Sequence, residues 1–315
     1  MVYIMGGVTI LLWLWKMPGR PPRIIAISLV TLAFGTTVFY IRHAWHMFPL
    51  WGDYTNRIEY KIPDWIAKNM ADSRVLPTGS VRFWYNTWHD LAQLGGGSEQ
   101  GLLNQQVQPA QWEIMLGKEA KPSILWMQSM GVDAAYVADQ RSQEVFKDFQ
   151  FPQKFAGVLP LIYDDQQGNM IYRVPRRYPV RARVVETARL NALQPPRFND
   201  DVETLGAYVD VVENGPAPEP ALQRNGTDAM TVRAKLAAGQ SLLVQESYDP
   251  VWVATSNGQS LAVRKDAMGM MVIDAPPGVH EIRLNFPTPF ENKAGRVLTA
   301  FTVLALIAMV VRERR

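Results

Sequence analysis

Residues 24–41 read "IIAISLVTLAFGTTVFYI", a run of about 18 residues without a charged side chain, which is the length a helix needs to span a bilayer. This stretch decides the class of fold. It predicts a transmembrane helix near the N-terminus, and the long polar remainder of the chain must then lie on one side of the membrane or the other.

Two further apolar runs lie at the ends of the chain. Residues 2–15, "VYIMGGVTILLWLW", would form roughly 21 Å of helix against a hydrocarbon core of roughly 30 Å, so we expect the end of a helix whose beginning is missing. Residues 297–311, "VLTAFTVLALIAMVV", are predicted to span when the helix is extended back to Phe290. A secretory signal is disfavoured because the start has no cationic segment or small-residue cleavage site.

The basic residues near the apolar runs predict an orientation. They lie in the connection after the first run and in the C-terminal tail: Lys16, Arg20, Arg23, Arg312, Arg314 and Arg315. The positive-inside rule places both groups in the cytoplasm, so residues 42–293 are expected outside a bacterial cytoplasmic membrane. Arg42 lies on the disfavoured side and counts against this orientation.

Composition excludes one class of partner. The net charge is +3 over 315 residues and is scattered along the chain, so no nucleic-acid partner is expected. The chain has no cysteine, which suits an exported domain but does not fix a compartment. Its length allows two ordinary domains.

Residues 42–185 mix helix and strand patterns, which predicts a mixed α/β domain outside the membrane. The predicted elements are a helix at 56–70 broken at Pro63, a strand at 80–86, helices at 108–118 and 121–131, a strand at 132–139, a helix at 141–149, and two strands around a turn within 158–175.

The chain then becomes rich in proline and polar residues, and 186–220 is predicted to be a linker. Beyond it, 221–289 has strand patterns separated by turn residues, which predicts a small antiparallel β-sandwich. Strands are expected at 229–236, 240–247, 251–255, 260–265, 269–275 and 280–286. The predicted fold is therefore membrane-anchored α+β, with two transmembrane helices in 1–41 and one, with its cationic tail, in 290–315.

One polar stretch stands out as a candidate site. Residues 84–104, "WYNTWHDLAQLGGGSEQGLLN", lack both the Lys-Ser/Thr of a Walker loop and the glycine spacing of a dinucleotide fold, so no cofactor is expected there. Aromatic faces beside amides and carboxylates are typical of carbohydrate recognition. The candidate substrate-binding residues are Trp84, Asn86, Trp88, His89, Asp90, Gln93, Glu99 and Gln100. The alternative is that the tryptophans fill a core and the glycines form a turn.

Other candidate groups are better explained by structure than by chemistry. Asp164 and Asp165 lie in "YDDQQGNMIY", where a hairpin turn is favoured over an acid/base pair. His43 and His46 have helical spacing but no acidic neighbour, so packing at the membrane interface is favoured over a metal site. With four histidines and no cysteine, no catalytic residue or metal site is assigned.

Three segments resemble a known family. Residues 246–289 resemble the closing extracytoplasmic β-domain of YfhO-like bacterial membrane proteins, and 129–140 resemble the entry to a strand in the same family. Residues 74–104 resemble a segment of membrane proteins labelled as 6-pyruvoyl-tetrahydropterin-synthase-related, a label that implies no pterin chemistry. The matching positions in the first segment are Tyr248, Pro250, Trp252, Asn257, Gly258, Asp266, Pro276, Gly278 and His280.

The resemblance implies a function. Such proteins are similar to GT-C glycosyltransferases, which take sugars from polyprenyl-phosphate carriers on the outer face of the membrane. In that class the catalytic carboxylate lies in the first outer loop, so it would be upstream of this chain. The resemblance thus implies the bilayer, a carrier-linked sugar and a glycan acceptor as partners. A non-catalytic, membrane-anchored carbohydrate-binding or assembly module remains the alternative.

Overall fold

A computed structural model describes residues 2–47, 53–97, 102–216 and 220–313, and the chain divides into two compact units, Met1–Thr55 and Asn56–Arg315. The first unit contains helices α1 (Val2–Lys16) and α2 (Arg20–Met47). Arg20–Ala44 is the one helix in the described residues that is long and apolar enough to cross a membrane, and Gly7–Lys16 is a shorter apolar helix. The described part of the chain therefore contains one candidate membrane-spanning helix, near the N-terminus.

The second unit begins with a four-stranded sheet and its helices. These elements are α3 (Ile58–Asn69), β1 (Val75–Leu76), α4 (Gly79–Trp84), α5 (Val107–Leu116), α6 (Ala120–Ser129), β2 (Ala134–Ala138), β3 (Leu161–Asp164) and β4 (Asn169–Arg173). The strand order is β1-β2-β4-β3, with β1 parallel to β2 and the other pairs antiparallel. Both faces of β2 are buried, because Ala135 and Val137 pack with α5 and α6 while Tyr136 packs with α3 and α4.

An eight-stranded antiparallel sheet follows. It is built from β5 (Ala182–Glu186), β6 (Ala221–Arg224), β7 (Ala229–Leu236), β8 (Gln240–Ser247), β9 (Val253–Ser256), β10 (Gln259–Lys265), β11 (Met270–Asp274) and β12 (Gly278–Asn285). The order is β5-β8-β11-β10-β9-β12-β7-β6, and β7 also contacts β5 and β8, so the sheet folds onto itself like a barrel. Val232, Leu242 and Ile282 belong to the apolar core that this folding encloses.

The six strands predicted beyond residue 221 are confirmed, and β7 and β8 begin and end where they were predicted. The arrangement differs from the predicted sandwich of two sheets. One continuous sheet is present, because β5 and β6 add to its two ends. Helix α9 (Phe290–Glu313) follows the last strand, and its insertion in a membrane stays a prediction.

The stretch predicted as a linker, 186–220, is helical over about half of its length. It contains α7 (Thr187–Asn191) and α8 (Val202–Glu213), and Asp201 begins α8 by accepting a hydrogen bond from the backbone N–H of Thr204. Leu205 and Tyr208 of α8 are buried in one core with side chains of α6 and of the eight-stranded sheet. A helix therefore forms here despite the flanking prolines, because the apolar residues of α8 are spaced so that one face packs in this core. The predicted domain boundaries themselves stay predictions.

Two local predictions in the mixed region are wrong, and contacts between the two segments explain both. Residues 80–86 were predicted as a strand, but α4 occupies most of them; residues 141–149 were predicted as a helix, but they form an irregular loop. In that loop, the carboxylates of Glu144 and Asp148 accept the backbone N–H groups of Ser80 and Gly79. The acidic residues of the loop thus stabilise the first turn of α4.

The remaining predictions for the mixed region hold, with one difference. The strand at 132–139, the helices at 108–118 and 121–131, and the two strands around a turn are confirmed as β2, α5, α6 and the β3–β4 pair. The helix at 56–70 is confirmed as α3, but it runs without a break through Pro63, which is buried in the helix.

Candidate functional site

A cleft of about 800 Å³ opens between the turn before β1, the segment after α4, and strands of the eight-stranded sheet. Residues from distant parts of the chain line it, including Arg74, Arg181, Arg224 and Glu246. These four residues form a cluster that we call the arginine floor. A concave site in which a few polar groups converge is the usual form of a ligand-binding pocket.

Glu246 is the centre of the arginine floor. Its carboxylate lies 2.6 Å from Nη2 of Arg74, 3.1 Å from Nη1 of Arg224 and 3.4 Å from Nε of Arg181. Burial alone would raise the pKa of Glu246, but the three guanidinium groups outweigh burial, so the pKa is lowered. Glu246 is therefore ionised at neutral pH, and the three guanidinium groups make its carboxylate a weak base.

The backbone holds the arginine floor in place. Nη1 of Arg74 donates to the carbonyl oxygens of Met130 and Gln245, and the backbone N–H of Gln245 donates to the carbonyl of Arg181. Arg224 ends β6, at the opposite end of the sheet from β5, and reaches Glu246 in β8. The ion pair thus joins the end strand β6 to β8, which is the neighbour of β5 at the other end of the sheet.

Three polar atoms of cleft residues are buried without a hydrogen-bond partner among the described residues: Nε and Nη1 of Arg181 and Oε1 of Gln93. Arg181 is only 5% exposed. Burial lowers its pKa to about 10, together with the nearby charge of Arg74 and against the attraction of Glu246. Buried polar atoms are normally satisfied, so an open donor and an open acceptor in one cleft are what a polar ligand would complete.

Three of the predicted site residues, Asn86, Asp90 and Gln93, line the cleft. Asn86 also fixes the turn that carries them, because its Oδ1 accepts the backbone N–H of Leu91 at 3.0 Å. The structure therefore brings three polar members of the predicted set together with the arginine floor.

The aromatic members of the predicted set lie against α3 instead. The Trp84 and Trp88 rings stack with centroids 6.0 Å apart, and Trp88 meets Tyr60 of α3 edge-on at 5.4 Å. His89 places Nε2 3.6 Å from Oδ1 of Asp64, also on α3. Glu99 and Gln100 lie outside the described residues.

The glycines behind this segment form a turn. Gly95 and Gly96 have positive φ angles of 81° and 63°. A Cβ on Gly95 would lie 2.0 Å from Nε2 of Gln111, a side chain that is buried. Gly95 is thus needed for conformation and close packing, which supports the turn alternative for this part of the segment.

A buried serine and lysine in the mixed α/β region resemble a catalytic pair, but they cap the C-terminal end of helix α5. Lys154 Nζ donates to Ser123 Oγ at 2.9 Å and to the carbonyls of Glu113 and Gly117 at 3.2 and 2.7 Å. Burial lowers the pKa of Lys154 to about 8, and Glu113 opposes that change. All three ammonium donors are used at the end of α5, and Ser123 is fully buried, so no nucleophile faces a substrate here.

The Asp164–Asp165 pair is a turn, as predicted. Oδ1 of Asp165 accepts the backbone N–H groups of Gln167 and Asn169 between β3 and β4. No group of three or more histidine or acidic side chains suited to a metal ion occurs in the residues that the structure describes.

Sequence analysis did not identify the arginine floor, because its members are far apart in the chain and none belongs to a short motif. One signal was present. Glu246 directly follows the buried residues 241–245 of β8. A charged side chain in that position needs a partner of opposite charge. Compared with known proteins, the chain matches no protein-family model, no curated protein and no solved structure.

Proposed function

We propose that the chain is the C-terminal part of a GT-C-like membrane protein that transfers sugars from polyprenyl-phosphate carriers to envelope glycans or lipids, and that the cleft holds the hydroxylated part of the ligand. One observation carries the proposal. Asn86, Asp90 and Gln93 meet in a cleft that also contains buried arginines. Amide and carboxylate groups of this kind give and accept the directed hydrogen bonds that sugar hydroxyls require.

The proposed roles are those of binding residues. Asp90 accepts hydrogen bonds from hydroxyl groups at the exposed edge, and the open Oε1 of Gln93 accepts one inside the cleft. We assign no catalytic residue to this chain. The carboxylate that would activate an acceptor is proposed to lie in the upstream part of a longer protein.

A non-catalytic, membrane-anchored glycan-binding module is the second candidate function. It is favoured by the state of Glu246, the partly buried carboxylate of the cleft, which three arginines surround and hold ionised. Such a carboxylate binds cations and donors rather than protons. Both functions use the same cleft, and only the first requires turnover by the complete protein.

Hydrogen exchange with the full chain in lipid nanodiscs tests the binding role. A polyprenyl-phosphate-linked hexose at about 100 times its dissociation constant should slow exchange of amides in residues 84–93 by up to about 100-fold where exchange requires the cleft to open. The N86A variant should lose this protection. Asn191→Ala, at an exposed position of α7 outside the cleft, should retain it. Unchanged exchange in the parent chain would contradict the proposal.

The proposal also requires residues 42–293 to lie outside the cytoplasm. The exposed apolar side chains of α2, including Leu32 and Phe39, support a membrane span, and the basic residues that flank the apolar runs favour this orientation. A reporter active only after export, inserted near residue 150 of the full chain, should be active. A reporter active only in the cytoplasm should be silent at that position. The reverse pattern would reject the orientation and, with it, access to carrier-linked sugars.

A further inference from the structure

We infer that the arginine floor is an oxyanion-binding subsite, which takes the phosphate or carboxylate group of a hydroxylated ligand while Glu246 serves as a built-in counter-ion. The hydroxylated ligand rests on the proposed function above. Anion binding itself rests on the floor alone and can be tested without it.

The first argument is the local charge. Three guanidinium groups surround one carboxylate, so the floor keeps an excess of positive charge, and Arg74 and Arg181 are 6% and 5% exposed. Buried cations without a matching anion are costly, and a bound oxyanion would remove that cost. Guanidinium groups also match the planar or tetrahedral arrangement of oxyanion acceptors better than ammonium groups do.

The second argument is the open donor. Nη1 of Arg181 has no hydrogen-bond partner among the described residues, although Nε lies 3.4 Å from Glu246. Arg224 is the most accessible of the three, with 36% of its side chain exposed, and it contacts the same Oε1 of Glu246. Arg181 therefore has a free donor for a ligand, and Arg224 can be shared between Glu246 and an incoming anion.

The third argument concerns the other carboxylates of the cleft. Asp72 and Asp90 also line it, but both are exposed, whereas Arg74 and Arg181 are buried. The positive excess is thus confined to the floor, and the edge is acidic. A long polyanion would be repelled by that edge, while a small ligand with one anionic group and several hydroxyls satisfies both parts.

Titration calorimetry on the full chain in detergent tests the subsite with four probes: glucose 1-phosphate, glucuronate, inorganic phosphate and glucose. Glucose 1-phosphate or glucuronate should bind at least about tenfold more tightly than glucose, and the stronger of the two identifies phosphate or carboxylate as the preferred group. Inorganic phosphate should compete with the preferred ligand, and added salt should weaken binding. Equal affinity for the charged and neutral sugars would overturn the inference but leave glycan binding intact.

Two variants separate a binding role from a structural one. Arg224→Gln should weaken the preferred anionic sugar about tenfold, the loss expected for one charge-assisted hydrogen bond. Arg233→Gln is the matched control, because Arg233 is an exposed arginine of the same sheet and pairs with Glu281. It should bind as the parent chain does. Equal affinities of the two variants would overturn the inference.

Glu246→Gln should change the affinity for anions in the opposite direction from Arg224→Gln. Removing the internal counter-ion should strengthen anion binding, and phosphate should raise the unfolding temperature of this variant more than that of the parent chain. A purely structural ion pair would instead give a less stable protein that phosphate does not rescue, and that result would reject the subsite.

Discussion

Replacing Asp133 by alanine is expected to lower the free energy of unfolding by about 3–5 kcal/mol, the usual cost of leaving a buried charge without its partner. Asp133 is 4% exposed. Its Oδ1 lies 2.9 Å from Nη1 of Arg176, and its Oδ2 accepts the backbone N–H of Arg74 at 2.8 Å. In the variant, Arg176 retains its ion pair with Glu213 at 3.4 Å and its hydrogen bond to Gln245 at 2.7 Å. The variant should therefore be less stable but still folded.

Urea unfolding in detergent, followed by tryptophan fluorescence, measures this loss. Trp126 is fully buried in the shared core and reports its opening. Glu281→Ala is the control, because Glu281 also contacts two arginines, Arg233 and Arg283, but on the exposed face of the sheet. Its midpoint should hardly move, since exposed ion pairs contribute little to stability. Similar midpoints for the two variants would show that the buried network is not the cause.

The loss of stability in the Asp133 variant should extend to the cleft. Asp133 fixes the backbone of Arg74, whose guanidinium group reaches Glu246. The buried network and the arginine floor are therefore joined through Asp133 and Gln245, and a ligand bound at the floor should stabilise the core beneath it. This connection follows from contacts between residues about 60 to 170 positions apart, which local sequence patterns do not contain.

The parts of the fold that could be predicted from sequence are those whose pattern is local. Strand β7 alternates apolar and polar residues, β8 has a central apolar run, and turn residues such as Asn257 and Gly258, both with positive φ, separate the strands that follow. The predictions failed where a distant side chain decides the backbone. Nothing within residues 80–86 shows that Glu144 will stabilise a helix there.

The candidate site also has a part that could be predicted from sequence and a part that could not. Asn86, Asp90 and Gln93 lie within one short segment, residues 86–93, so their proximity could be predicted, whereas the floor needs β5, β6 and β8 to be correctly ordered first. The aromatic residues were grouped with them because they are neighbours in sequence. Trp88 instead packs against Tyr60, because residues along a turn point in different directions.

Gly79→Ala is the second substitution expected to have a large effect, with a loss of about 2.5–5 kcal/mol in the free energy of unfolding. Gly79 has a φ of +62°, and an added Cβ would lie 2.1 Å from Cδ and Oε2 of Glu144. The left-handed conformation costs about 1–2 kcal/mol for alanine. Displacing Glu144 from the N–H of Ser80 breaks a charge-assisted hydrogen bond of about 1.5–3 kcal/mol.

Gly157→Ala separates these two contributions. Gly157 has a φ of +72° but no atom within 4 Å of an added Cβ, so its substitution should cost only the conformational part, about 1–2 kcal/mol. The difference between the two variants, measured by urea unfolding, is then the contribution of the contact between Glu144 and α4. Because α4 leads directly into residues 84–93, the G79A variant should also lose sugar affinity, while G157A keeps it. Equal losses of stability in the two variants would mean that Glu144 does not hold α4, and that the segment lining the cleft is positioned by other contacts.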